Sequence, residues 1–110
     1  MSQPIPFTAT ANTKTVAATA SALTAVALPT GAGNQVRIVN EGPNICFVAL
    51  GAAGVLATLP TTGGGVTTCT PVLAGEDVIL TRSPTVDINI STICRASGTA
   101  TLTVSVGEGN

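Results

Sequence analysis

Two runs in the last third of the chain alternate between apolar and polar residues. Val86, Ile88 and Ile90 oppose Asp87, Asn89 and Ser91, and Leu102, Val104 and Val106 oppose Thr101, Thr103 and Ser105. A period of two sends successive side chains to opposite faces of an extended strand, one toward a core and one toward solvent. Arg95 to Gly98 supplies the turn between the two runs. No stretch shows an equally clean helical period, so the chain reads as strands.

The same reading extends toward the N-terminus. Gln35–Asn40 and Ile45–Leu50 are β-branched runs on either side of Glu41-Gly42-Pro43-Asn44, a pattern that predicts a hairpin. Ile45–Leu50 is apolar on both of its faces, which calls for a cover on each side. In so short a chain, a second subunit is one source of that cover. Gly51 to Gly54 reads as a turn, Val55 to Leu59 as a further short strand, and Pro60 to Gly65 as an exposed loop. Thr67 to Leu73 is extended, with Pro71 confining it to an edge or irregular strand. Ala74-Gly75 then turns the chain into a strand over Glu76–Thr81, and Gly107–Asn110 reads as a frayed polar tail. Val16 to Ala27 is rich in Ala, the best helix former, yet Thr, Val and Ser interrupt it and no charged residue solvates an outer face. It reads as two short strands joined near Ala20–Ala22, with a helix as the alternative.

About eight or nine short strands with a turn signal roughly every ten residues predict an all-β fold. The expected form is a single-domain antiparallel β-sandwich or jelly-roll-like barrel. Its domain is expected over residues 15–110, behind an extended arm at 1–14. The arm holds Pro4, Ile5, Pro6 and Phe7, and proline at alternate positions favours an extended course. Ile5 and Phe7 have no local core to bury them, so they are the candidate assembly contacts of a tether that orders on docking.

Composition narrows the function. Only 8% of residues are charged, against about 25% in an ordinary soluble domain, and Thr, Ser, Ala and Gly take their place. Such a surface opposes close packing with neither charge repulsion nor much side-chain entropy, which suits a chain that works packed against other protein. Lys14, Arg37, Arg82 and Arg95 are scattered, the net charge is −1, and there are two Phe with no Trp or Tyr. That argues against nucleic acid, which needs clustered cations and stacking platforms. Met1 to Lys14 has neither the basic start nor the apolar run of a signal peptide, and Val16 to Leu28 is too short and polar to span a bilayer. No membrane partner is expected.

Catalytic chemistry has little to work with. There is no His, and the acids are Glu41, Glu76, Asp77, Asp87 and Glu108. Neighbours on a strand, Glu76 and Asp77 point to opposite faces and cannot act as a dyad. An Asp77–Asp87 pair across strands is left open, although solvated carboxylates are the simpler reading. Neither Thr30-Gly31-Ala32-Gly33-Asn34 nor Gly63-Gly64-Gly65 has the context of a phosphate-binding loop, and no calcium-loop pattern occurs. Cys46, Cys69 and Cys94 form an odd set without metal-ligand spacing. They read as small apolar residues, so that melting should not respond to reductant, and they point to synthesis in the cytoplasm. No enzyme activity, cofactor, metal or small-molecule substrate is expected.

The order of segments carries a resemblance. A Ser/Thr/Ala-rich start precedes QVRIVN and its Glu-Gly-Pro-Asn turn, then come ICFVALG, PVLAGEDVILT and finally SGTATLTVSVGEG. From about residue 15 to residue 109 this resembles small virion proteins of tailed bacteriophages, in particular capsid decoration (cement) proteins with jelly-roll-like folds. The resemblance implies a protein on the exterior of an HK97-like phage shell, bound to the major capsid protein as a homodimer or homotrimer and stapling neighbouring capsomers. It rests on strand rhythm and glycine turns, so it assigns no role to any single residue. Another virion part (tail, neck or fibre) is the nearest alternative. A carbohydrate- or receptor-binding β module is the more distant one, since the aromatic platforms that sugars stack on are missing.

Overall fold

The computed structural model describes residues 8–9, 13–21, 25–29, 33–59 and 69–108. Among them are nine strands and no helix. These are β1 (Thr8–Ala9), β2 (Lys14–Ala18), β3 (Val26–Ala27), β4 (Gln35–Pro43), β5 (Cys46–Gly51), β6 (Thr70–Val72), β7 (Asp77–Thr81), β8 (Asn89–Cys94) and β9 (Ala100–Glu108). The expected two strands around Ala20 are β2 and β3, and the Ala-rich segment is not helical where it is described.

The pairings nest. β2 lies against β9, β3 against β8, β4 against β7 and β5 against β6, all antiparallel. The chain thus runs out through β2–β5 and returns beside itself through β6–β9. Wrapping this ribbon also brings β9 beside β4 and β8 beside β5. The result is two sheets, β2-β9-β4-β7 and β3-β8-β5-β6, with β1 continuing the line of β2 along β9. This is the double-sheet architecture of a jelly roll, and it agrees with the expected antiparallel sandwich.

One local expectation fails. β4 and β5 do not form a hairpin, because β4 pairs with β7 and β9 while β5 pairs with β6 and β8. The Gly-Pro segment is instead the corner at which the chain crosses between sheets. Asn40, which is entirely buried, holds that corner. Its Oδ1 accepts the Gly42 N–H at 2.7 Å, and its Nδ2 donates to the Asn44 carbonyl at 2.8 Å and to the Val72 carbonyl of β6 at 2.9 Å. Gly42 has φ +90°, a backbone conformation that side-chain-bearing residues rarely adopt. A corner and a hairpin therefore share the same turn residues.

The core is aliphatic. Val16 and Ala18 of β2, Val36 and Ile38 of β4, and Leu102, Val104 and Val106 of β9 face Cys46, Val48, Val72, Ile90 and Cys94 of the other sheet. Each fully buried Val, Leu or Ile contributes about 1.5–3 kcal/mol relative to exposure. Polar groups interrupt this interior at few points. Thr92 is buried, and its Oγ1 has no hydrogen-bond partner among the described residues. Arg82 is also buried, with Nε donating to the Gly33 carbonyl at 2.9 Å and Nη1 to the Asp87 carbonyl at 3.2 Å. It ties the β7–β8 connection to the approach to β4. There the backbone comes so close to β9 that a Cβ on Gly33 would lie 2.3 Å from the Gly107 carbonyl oxygen.

Other segments depart from the sequence reading in instructive ways. Val55–Leu59 is not a strand. It lies over the outer face of the β5–β8 pair, with Ala57 buried and its N–H donating to Ser91 Oγ at 2.8 Å. The chain itself thus supplies part of the second cover that β5 requires. Arg95 supplies more, its guanidinium standing 5.1 Å from the Phe47 ring centroid. Val86 and Ile88 precede β8 in a turn and are exposed, because Asp87 folds back to accept the Ser83 N–H at 2.8 Å. Gly107 and Glu108 are not frayed. They extend β9, where they pair with β1 and where Gly107 also faces Gln35. Pro71 does sit in an edge strand, as expected, opposite Phe47 in β6.

Candidate functional site

Ile5 and Phe7, the residues expected to make assembly contacts, lie outside the described residues. So do Pro60 to Gly65. Of the expected arm, Thr8 and Ala9 pair with Glu108 and Gly107, and Lys14 is already the first residue of β2. Lys14 stands at the rim between the sheets, its Nζ donating to the Ala27 carbonyl of β3 at 2.9 Å.

The strand directions fix which loops share an end. Gln35 lies beside both Thr81 and Gly107, while Gly51 lies opposite Asn89. The connections leaving β5 and β7 therefore emerge at the end where β1 meets β9. Leu56, Val86 and Ile88 are carried on those connections, with 58%, 54% and 46% of their surfaces exposed. The sequence offered no way to single them out, since two of them belong to an alternating run that reads as half-buried strand. Leu73, 52% exposed, is on the β6–β7 turn at the opposite end.

The broad outer face of the β2-β9-β4-β7 sheet is built differently. Thr15, Thr101, Thr103 and Ser105 project from it, and Thr13 Oγ1 and Ser105 Oγ are 3.1 Å apart. Arg37 Nε meets Asp77 Oδ2 at 3.0 Å with both side chains about half exposed, and Thr103 Oγ1 donates to Glu41. An exposed pair of this kind contributes under about 1 kcal/mol. The charges on this face largely answer one another within the face.

Chemistry-bearing residues do not converge among the described residues. Asp77 opens β7 and is bound by Arg37, whereas Asp87 lies past the other end of the strand. The dyad left open by the sequence is thus taken apart by the fold. Asp87 does border an open cleft of about 250 Å³ together with Thr70 and Thr81, over an apolar floor of Val48, Leu50 and Leu80. One of its carboxylate oxygens is already used on the Ser83 N–H.

The cysteines are separated by face. Cys46 of β5 and Cys94 of β8 are direct cross-strand partners, both completely buried and with no disulfide between them. Burial pushes the Cys46 thiol up to about 12, and the facing Cys94 adds to the shift. Burial raises Cys94 as well. Cys69 lies beyond Thr70 on the other face, where its Sγ accepts the Thr58 N–H at 3.3 Å. This pairing of two of the three thiols is invisible in the spacing 46, 69, 94 and follows only from the β5–β8 register. No protein-family model, curated protein or solved structure matches the chain.

Proposed function

We propose that the protein is a structural component of a tailed-phage virion, a decoration protein that binds the outside of the shell through the major capsid protein and staples neighbouring capsomers. The observation that carries this reading is a surface with little to oppose close contact. Only 8% of the residues are charged. Val86 and Ile88 are left exposed at one end of the sandwich, and Leu56 on the segment that folds back from that end over β5 and β8. The N-terminal segment joins the sheet at the same end. A jelly roll has rigid sheets that can present such an end, and the segment resemblance points the same way. In this reading the mechanism is mechanical. A homodimer or homotrimer repeats a modest contact around a symmetry axis, and linked contacts gain far more than one contact does.

The test is cosedimentation of the purified protein with capsids of the phage that encodes it, using the full chain and a chain lacking residues 1–7. That deletion removes Ile5 and Phe7 while leaving Thr8 and Ala9 to pair with β9. Saturable binding at a fixed ratio to the shell subunit, weakened at least tenfold by the deletion, is the expected result. Equal binding by both chains would remove the tether from the mechanism. A protein that sediments with no shell, or is present at a dozen copies or fewer per virion, would belong to the tail, neck or fibre.

A further inference from the structure

We propose that Cys46 and Cys94 are a built-in modification site, a pair of thiols placed to form a cross-strand disulfide that locks the sandwich when the protein meets a small-molecule disulfide oxidant. This departs from the expectation of three inert thiols. It does not depend on the assembly reading.

The geometry comes from the backbone. Cys46 and Cys94 are exact partners in the β5–β8 register, so both side chains leave the same face of the sheet. That face is the core, where both residues are completely buried. Opposed residues in antiparallel strands alternate between wide, hydrogen-bonded pairs and narrow, non-hydrogen-bonded ones. The Cys94 N–H donates to the Thr19 carbonyl at 2.7 Å, which lies on the side away from β5. The two cysteines are therefore a narrow pair, with Cα atoms about 4.5 Å apart. A disulfide needs roughly 4.4–6.8 Å between Cα atoms and converging Cβ vectors. That spacing falls at the lower edge of the range, and both Cβ atoms leave the same face, so a bond calls for no change of register.

The surroundings decide when these thiols can be oxidised and by what. Attack on a disulfide requires a thiolate. Both thiols are sealed in an aliphatic core that disfavours the anion, and a bulky adduct on either sulfur has no space in the closed sandwich. Oxidation therefore proceeds while the sheets are apart, during folding or a transient opening. One thiolate attacks glutathione disulfide, forming a mixed disulfide and releasing one glutathione thiolate. The second cysteine, deprotonated in turn, displaces the bound glutathione as a second thiolate and closes the Cys46–Cys94 bond. Two protons and two electrons leave the protein, and one glutathione disulfide becomes two glutathiones. The ring so closed contains the whole of β5, β6, β7 and β8, with β7 in the opposite sheet. Closing a loop of that size raises the melting temperature by about 10 °C or more. Cys69 cannot substitute, because it lies on the outer face.

The experiment uses the full chain, unfolded in urea and refolded either with a reductant or with a mixture of reduced and oxidised glutathione. Remaining thiols are then alkylated, and the protein is mapped by peptide mass without reduction. A Cys46–Cys94 link in the oxidised sample, with Cys69 alkylated and a melting temperature about 10 °C above that of the reduced sample, is expected. Cys69→Ala should behave like the parent, and Cys46→Ala should lose both the link and the shift. The proposal is overturned by a dominant link through Cys69, by glutathione adducts without a Cys46–Cys94 bond, or by a Cys46–Cys94 bond that lowers the melting temperature. The map of the unaltered chain answers the question even if a variant folds poorly.

Discussion

Asn40→Ala is the substitution for which the structure sets the most demanding expectation. The Asn40 side chain is buried and makes three hydrogen bonds, to the Gly42 N–H and to the carbonyls of Asn44 and Val72. Truncation leaves the Gly42 N–H buried without an acceptor, at about 1–3 kcal/mol, and takes a donor from each carbonyl at about 0.5–1.5 kcal/mol. A loss of about 3 kcal/mol is therefore expected, a large share of the roughly 5–15 kcal/mol by which domains are stable. With a urea slope near 2 kcal/mol per molar, the unfolding midpoint falls by about 1.5 M. The melting temperature falls by roughly 12 °C or more. Asn40→Asp sharpens the test. It keeps the acceptor for Gly42 but aims a second oxygen at two carbonyls, so at pH 7 it should be worse than Ala. It should recover in acid, where the protonated carboxyl can donate again. Urea titrations followed by circular dichroism measure both variants. A loss below about 1 kcal/mol for Asn40→Ala, or an Asp variant as stable as the parent at pH 7, would refute the claim that this residue holds the corner.

Thr92 gives the opposite sign. Its buried Oγ1 has no partner among the described residues, so Thr92→Val keeps the shape, removes the unmet hydroxyl, and should raise stability by about 1 kcal/mol in the same titration; a destabilised variant would show that the hydroxyl is satisfied. The buried thiols set a pH limit. Cys46 in the folded protein is pushed up to about 12 from an ordinary 9.0, so the unfolded chain ionises first as pH rises. The stabilisation is complete below pH 9 and is lost between pH 9 and 12, with Cys94 contributing in the same direction. The urea midpoint should fall from pH 9 upward in the parent and less steeply in Cys46→Ala, and a midpoint that stays level to pH 11 would contradict this.

The strands themselves were legible in the chain because the information they need is local. Alternation across Ala100–Glu108 marks which side of β9 is buried, and Pro71 marks β6 as an edge, whatever the rest of the molecule does. Scarce charge, the odd cysteines and the absence of His are likewise properties of the chain alone. Partnership between strands was not legible. Gly42-Pro43 fits a hairpin and a corner equally well, and only the pairing of β4 with β7 and β9 settles which it is. The run from Val86 to Ser91 alternates throughout, yet Asp87 bends its first part into a turn by bonding to Ser83, leaving Val86 and Ile88 in solvent. Cys46 and Cys94 are far apart in sequence and adjacent in space, because register is a property of two strands together. Alternation tells each strand which face to bury. Which strand lies beside it is decided by how the whole ribbon wraps, since the apolar faces of both sheets must meet in a single core at once.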